Sequence, residues 1–459
     1  MTDGGRTLDG GGALDGDGGL DGDGALDGDG GLDGDGGPAT AGGTARDDAL
    51  RTVEAVWRIE SGKLVAVLTR LVGDVGLAEE LAQDALVAAL EQWPESGVPR
   101  NAGAWLTAVA KRRAIDGWRR QERLGDRYAQ LAHDLETERG ADDPATLAEE
   151  AIDDDLLRLV FISCHPVLTK PSRVALTLKL LGGLSTEEIA RAFLVPPPTI
   201  AQRIVRAKRT LSAARVPFEV PDRSEFPARL GSVLEVIYLI FNEGYSATAG
   251  DDWMRPSLCQ EALRLGRVLA ELTPREPEVH GLVALMEFQA SRLGARTTPT
   301  GEPVLLQDQD RSRWDRILIS RGVDALRRSE RLDRGRGPYA LQAAIAACHA
   351  TAPTADATDW EEIVAIYSAL SELQPNAVVE LNRAVALSMA YGPEAGLDVV
   401  DQLVIDGALG SYHLLPTVRA DLLFRLGRRA EAKQEFERAA ALTGNERERA
   451  LLLARAEEC

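Results

Sequence analysis

"GGLSTEEIARAFLVPPPTIAQRIVRAKRTL", residues Gly182–Leu211, reads as two helices joined by a proline-rich turn. Ser185 stands at an N-cap position with Glu188 three residues on, the pattern of a capping box. Ile189 and Ala190 fall on the side to be buried, and Ala190 is small enough to admit a second helix closely. The "VPPP" run ends the first helix, since each proline disfavours helical geometry before it and removes a donor. Pro198 suits the first turn of the next helix, where its missing N–H costs nothing. That helix carries Ile200, Ile204, Ala207 and Leu211 on one face, at spacings of four, three and four. Its other face offers Thr199, Gln202, Arg203, Arg206 and Arg209. Between Pro198 and Arg215 there are five basic residues and no acidic one. A capped helix, a tight turn and a cationic second helix form the arrangement that enters a DNA major groove. Arginine and glutamine are also side chains suited to guanine and adenine edges. A merely solvated basic face would not require cap, turn and apolar register to agree.

Such a helix is unexpected in an acidic chain. The 459 residues carry a net charge of −20, and residues 1–45, with ten Asp and one Arg, contribute −9 of it. This opening segment repeats "LDGDGG", with variations, at a period of six from Leu8, Leu14, Leu20, Leu26 and Leu32. Glycine and aspartate on that scale cannot offset their ordering entropy by burial, so residues 1–47 are expected to form a disordered acidic tail. Calcium-binding Gly–Asp repeats wind with a nine-residue period, which this segment lacks. Beyond the tail, the 44% hydrophobic content is ample for real cores. No run of eighteen apolar residues marks a membrane span, and no basic start leads into an apolar run, so a cytoplasmic location is expected. Cys164, Cys259, Cys348 and Cys459 are scattered without a C-x-x-C pair, and Cys164-His165 lacks the second ligand pair that zinc requires. Neither a metal nor a cofactor is expected.

From Asp48 onward apolar residues recur at three- and four-residue spacing and alternating β-type runs are missing, so the fold class is all-α. Residues 48–124 form one helical unit, 125–150 a polar acidic linker, and 151–215 a second unit holding the quoted motif. The breaker-rich "VPFEVPDRSEFP" then opens an extension over 216–459, helical from about residue 228. The first unit contains its own cationic segment, "NAGAWLTAVAKRRAIDGWRRQERL" from Asn101, with six Lys or Arg between Lys111 and Arg123 against two acidic residues. Trp105 and Trp118 interleave with the charge, the mix expected where bases unstack and phosphates are held. The preceding "GDVGLAEELAQDALVAALEQWP" places Leu77, Leu81, Ala85 and Ala88 on a narrow apolar stripe. Glu79, Glu80, Gln83 and Asp84 are expected to face elsewhere.

Together these segments resemble the sigma factors of bacterial RNA polymerase, specifically the extracytoplasmic-function group. Residues 48–124 look like sigma region 2 and 151–215 like region 4. "LAEELAQDALVAALEQW" is similar to the helix that docks on the clamp helices of the core polymerase β′ subunit. The resemblance assigns that contact to Glu80, Gln83 and Asp84. "NAGAWLTAVAKRRAIDGWRR" resembles the segment that captures and melts the −10 promoter element. Asn101, Trp105, Lys111, Arg112, Arg113, Asp116, Arg119 and Arg120 stand at its matching positions. The opening motif resembles the reader of the −35 element, with Pro198, Thr199, Gln202, Arg203, Arg206 and Arg209 toward promoter DNA. Most relatives have a glycine in the turn where this chain has Leu194. Two cationic surfaces on an acidic chain then make sense, because counterion release at phosphates supplies much of the affinity.

The extension is longer than a minimal sigma factor needs. "ADLLFRLGRRAEAKQEFERAAAL" fits a tetratricopeptide-like helix pair, with Gly427 at the turn and Ala432, Phe436 and Ala439 as packing positions. "PNAVVELNRAVALSMAYGPEAGLDVVDQL", from Pro375, reads as a more degenerate repeat. Stacked pairs of this type leave a concave face for a protein or peptide ligand. The resemblance narrows to the sigma subfamily with such an extension, which implies regulation through the extension itself. Asn242, Glu243 and Tyr245, and the run from Asp308 to Arg316, are expected to form a salt-bridge network joining helices, in preference to a peptide groove. No nucleophile–base pair, metal spacing or phosphate loop accompanies these carboxylates, so no enzyme is expected. The competing class, a stand-alone DNA-binding regulator, would not need the docking helix around Gln83 and Asp84.

Overall fold

The computed structural model describes residues 41–120, 145–245, 254–298, 304, 306–407, 409–444 and 446–459. Side chains at 41–49, 117–120, 145–151 and 446–447 lie outside that description. Every regular element among the described residues is helical, which is the all-α class. These residues divide into two compact units, one ending at Ile237 and one beginning at Tyr238. Residues 1–40 of the expected tail and 121–144 of the expected linker lie outside the described residues. Two expectations at their edges are corrected. Helix α1 (Ala41–Val72) takes in the end of the tail, and α4 (Ala145–Ser163) takes in the end of the linker. "ATLAEE" is made of good helix formers, and its polarity alone does not make it a linker.

In the first unit α1, α2 (Val75–Ser96) and α3 (Ala102–Arg120) pack as a bundle, with α4 laid against α1. Small side chains permit the approach: Ala78, Ala82, Ala85 and Ala89 of α2 are buried in one stripe that ends on Trp93. Asp155 of α4 is fully enclosed and is held by Arg70 of α1 at 2.8 Å and Arg158 at 2.7 Å. Next come α5 (Lys170–Leu180), α6 (Thr186–Ala192) and α7 (Pro197–Ala213). The start of α8 (Phe226–Tyr245) caps the end of α4. Arg229 donates to the Phe161 carbonyl at 3.1 Å and Ser232 to the Cys164 carbonyl at 2.8 Å, satisfying acceptors that a helix C-terminus leaves open.

The second unit continues with α9 (Pro256–Leu272), α10 (Pro277–Ser291), α11 (Arg316–Arg331), α12 (Pro338–Thr351) and α13 (Trp360–Leu373). Helix α10 is buried around almost its whole circumference and is flanked by α9, α11 and α12. It is the axis of this half. Helices α14 (Ala377–Tyr391), α15 (Pro393–Asp406), α16 (Leu414–Arg425), α17 (Arg429–Leu442) and α18 (Glu446–Glu457) then stack, each against its sequence neighbour. Ala432, Phe436 and Ala439 pack in their common core with Leu381, Val400 and Leu423. Burial of each large side chain there contributes about 1.5–3 kcal/mol. The turn between α16 and α17 needs Gly427, whose φ of 76° is left-handed.

Candidate promoter and polymerase surfaces

Helix α6 begins with the expected capping box. The Glu188 N–H donates to Ser185 Oγ at 3.0 Å, and the Ser185 N–H donates to Glu188 Oε2 at 2.8 Å. Ile189 and Ala190 are buried. The helix closes with Leu194 in the left-handed region at φ 49°, and the Val195 N–H reaches the Ala190 carbonyl at 3.0 Å. The turn thus adopts the geometry that glycine serves with least strain, at about 1–2 kcal/mol for an L-residue. Pro196 precedes α7, Pro197 and Pro198 occupy its first turn, and Ile200, Ile204, Ala207 and Leu211 are its buried face. With one side anchored, the opposite side is fixed in register. Pro198, Gln202, Arg206 and Arg209 are exposed, and Thr199 and Arg203 are half-buried. Arg203, Arg206 and Arg209 make no ion pair among the described residues.

Lys208, on the same helix, is used differently. It pairs with Glu79 of α2, which also holds Lys179 of α5 at 3.6 Å. All three side chains are largely enclosed. The Trp57 indole N–H of α1 donates to the Gly183 carbonyl at 3.2 Å, and Arg58 pairs with Glu188 at 2.8 Å. The helix-turn-helix is therefore fastened to α1 and α2 by one ion triad, one indole hydrogen bond and one surface ion pair. A cavity of about 590 Å³ lies along this seam, walled in part by Trp57, Gln83, Leu86 and Leu90.

The seam corrects the expected faces of α2 at two residues. Glu79 is buried and not outward-facing, while Leu77 is 40% exposed. Leu81, Ala85 and Ala88 are buried as expected, and Ala78, Ala82 and Ala89 widen the buried face beyond the predicted stripe. Ala78, Ala82, Ala85 and Ala89, at spacings of four, three and four, were the signal for the wider face. Glu80 and Asp84 are exposed, and Gln83 is half-buried along the seam. Lys179, Lys208, Trp57 and Arg58 as partners of this seam were not foreseen.

On α3 the cationic residues share a helix but not a common environment. Asn101 caps the helix, its side-chain oxygen accepting from the Ala104 N–H at 2.9 Å. Trp105 packs edge-on against Trp93, with centroids 5.3 Å apart. Arg113 pairs with Asp84 of α2 at 3.2 Å, so a predicted promoter contact and a predicted polymerase contact hold each other. Lys111 and Asp116 are half-buried and Arg112 is exposed. The side chains of Trp118, Arg119 and Arg120 lie outside the described residues.

The polar clusters of the second unit meet the expectation in part. Glu243 does pair with Arg255, and the Arg296 guanidinium lies 3.7 Å above the Tyr245 ring. The run from Asp308 to Arg316, however, works mainly by capping and by bridging carbonyls. Asp310 caps a short 3-10 turn (Arg311–Arg313), and Asp315 caps α11. Arg311 donates to the carbonyls of His349 and Ala352, and Arg313 donates to that of Gly294.

Comparison with known proteins meets this geometry. Residues 58–124 match sigma-70 region 2 and residues 158–211 match sigma-70 region 4. Residues 229–330 match DUF6596, a family of unknown function. An uncharacterized protein of Rhizobium meliloti, R00370, is 44% identical over 400 residues, covering 84% of this chain and 91% of that protein. A probable ECF RNA polymerase sigma factor of Mycobacterium tuberculosis, SigI, matches in two strains at 29% identity over 166 residues. That match covers 36% of this chain and 56% of SigI.

Proposed function

Because this chain belongs to the extracytoplasmic-function group of the sigma-70 family, we propose that it binds core RNA polymerase and selects a promoter class for transcription initiation. Helix α2 docks on the polymerase through Glu80, Gln83 and Asp84. Helix α3 serves the −10 element, and the outer face of α7 reads the −35 element through Gln202, Arg203 and Arg206. The observation that carries this reading is α7 itself: a buried apolar face fixes an opposite face of three arginines that have no ion partner among the described residues. No described helix is long and apolar enough to cross a membrane. The protein works on chromosomal DNA, without catalysis of its own, and its extension regulates it or receives a protein ligand.

In this reading the contact between α2 and α7 belongs to a resting form. The −35 and −10 elements lie roughly 25 base pairs apart, or about 85 Å at 3.4 Å per pair. Helix α3 packs on α2, and α2 is tied to α7 through Glu79, so in this form the two DNA surfaces cannot reach both. The 24 residues from 121 to 144 would span about 80 Å if fully extended, enough for the two modules to part. Run-off transcription with purified core polymerase and genomic promoter fragments tests the proposal. Start-site choice conferred by the protein is expected; association without start-site choice, or no association, refutes it.

A further inference from the structure

We propose that the cavity enclosed by α10, α12, α13 and α14 in the second unit is a receptor site for a small aromatic carboxylate. The cavity holds about 140 Å³ and is walled chiefly by Phe288, Leu306, Trp314, Ile345, Trp360 and Tyr367. An apolar space of about 150 Å³ accepts a benzene-sized ring. It is too small for a peptide segment but suited to one ring with a substituent.

Its polar equipment selects the substituent. Among the described residues Arg292, at the end of α10, is the one charged residue in the lining, which contains no Asp or Glu. In a chain of net charge −20 that is a local reversal of sign. The Arg292 guanidinium rests 5.7 Å from the centre of the Tyr245 ring and makes no ion pair among the described residues. Arg311 lies behind the same wall, 4.7 Å over the Trp314 ring, and is met by the His349 and Ala352 carbonyls at 2.5 and 2.9 Å. Like Arg292, it has no carboxylate partner among the described residues. Partly buried cations are ordinarily matched by an anion. Here the described residues supply none.

Three lining residues also carry a buried polar atom with no hydrogen-bond partner: Trp314 Nε1, His349 Nδ1 and Gln289 Oε1. Trp314 is a donor only, so it calls for an acceptor. His349 is held neutral, its pKa lowered to about 3 by burial and then by Arg292 and Arg311, so its ring offers one donor and one acceptor. A carboxylate accepts from Arg292 and from the Trp314 indole, while a ring hydroxyl can exchange hydrogen bonds with His349 or Gln289. No covalent step is involved. Binding is reversible and stands whether or not the transcriptional reading holds.

The test uses the full chain, with intrinsic tryptophan fluorescence and melting temperature as readouts. Benzoate, 4-hydroxybenzoate and phenylacetate are the probes; benzamide and benzylamine share the ring but lack the negative charge. Saturable quenching and a raised melting temperature are expected with at least one carboxylate, at a Kd on the order of 10 μM to 1 mM. The matching amide should bind at least tenfold more weakly and the amine not at all. Arg292→Gln should cost tenfold or more in affinity, and Ala346→Phe, which fills the cavity from α12, should abolish binding. No saturation by any of the three acids, equal binding of benzylamine, or unchanged affinity in folded Arg292→Gln would overturn the assignment. The contrast among probes is measured on the unaltered chain, so it stands even if neither variant folds.

Discussion

Helices α7 and α2 use their charges in opposite ways. Helix α7 leaves Arg203, Arg206 and Arg209 without ion partners among the described residues and commits one cation, Lys208, to its neighbour. On α2 the two carboxylates that face neighbouring helices are already committed, while Glu80, Glu91 and Glu95 make no ion pair among the described residues. Glu79 holds two lysines, Asp84 holds Arg113 of α3, and Asn101 is occupied in capping α3. A guanidinium with no carboxylate partner can take a phosphate or a base edge without exchanging a bond first. A surface whose charges are paired must break those pairs before a partner engages. The outer face of α7 therefore keeps three arginines open, while α2 is tied to its neighbours at Glu79 and Asp84.

The sharpest way to break this contrast is to disarm α7. Arg203→Ala and Arg206→Ala should each cost about 1–3 kcal/mol in promoter binding if each side chain reads a base edge. The double variant should lose on the order of a hundredfold or more, measured by competition against a fragment with altered −35 sequence. Unchanged −35 selectivity would remove α7 from the recognition role. The next largest effect should come from Glu79→Ala, which leaves the Lys179 and Lys208 ammonium groups facing each other with no anion between them. Breaking a fully buried pair costs about 3–5 kcal/mol; here some solvent reaches all three groups, so about 2–3 kcal/mol of first-unit stability is expected to be lost in urea titration. The same variant should bind promoter DNA more tightly in the absence of polymerase, because its modules part more readily. Unaltered stability together with unaltered affinity would mean that the triad gates nothing.

A smaller effect is expected at the turn. Leu194 is 53% exposed at φ 49°, so little packing opposes its replacement. Leu194→Gly relieves about 1–2 kcal/mol of backbone strain and returns part of it as greater unfolded-chain entropy. A net gain of about 0.5–1 kcal/mol in thermal or urea denaturation is expected, with −35 selectivity retained. A loss of stability would show that the leucine side chain contributes contacts that outweigh its strain.

What could be read from the sequence follows from the range of the forces involved. Cap, prolines and apolar spacing in Gly182–Leu211 act between residues a few positions apart, so the two helices and their faces were legible before any coordinates. Gly427, Ala432 and Phe436 were legible for the same reason. The width of the buried face of α2 was not, because alanine signals burial weakly: Leu77 was weighted over Ala78, Ala82 and Ala89, which let helices approach. The tie from Glu79 to Lys208 joins residues 129 apart, and neither side chain announces the other. The cavity was equally hidden. Trp314 sits in a run of charges that reads as an ion-pair network, and an enclosed space exists only once α10, α12, α13 and α14 have met.

The smallest effect separates docking from stability most cleanly. Asp84 and Arg113 form an ion pair in which both side chains keep substantial exposure. Exposed pairs of this kind couple by about 0.2–1 kcal/mol, and salt weakens them further. A double-mutant cycle of Asp84→Ala and Arg113→Ala, read by urea denaturation, should therefore return a coupling near the low end of that range. If Asp84 serves only to position α3, its loss should perturb polymerase affinity no more than it perturbs stability. If it belongs to the docking face, Asp84→Ala should weaken core polymerase binding by tenfold or more in a direct binding assay while folding barely changes. Arg113→Ala, which frees the same carboxylate, should leave that affinity intact or raise it. Opposite responses from the two halves of one ion pair cannot come from a purely structural contact, whereas equal losses would return Asp84 to the scaffold.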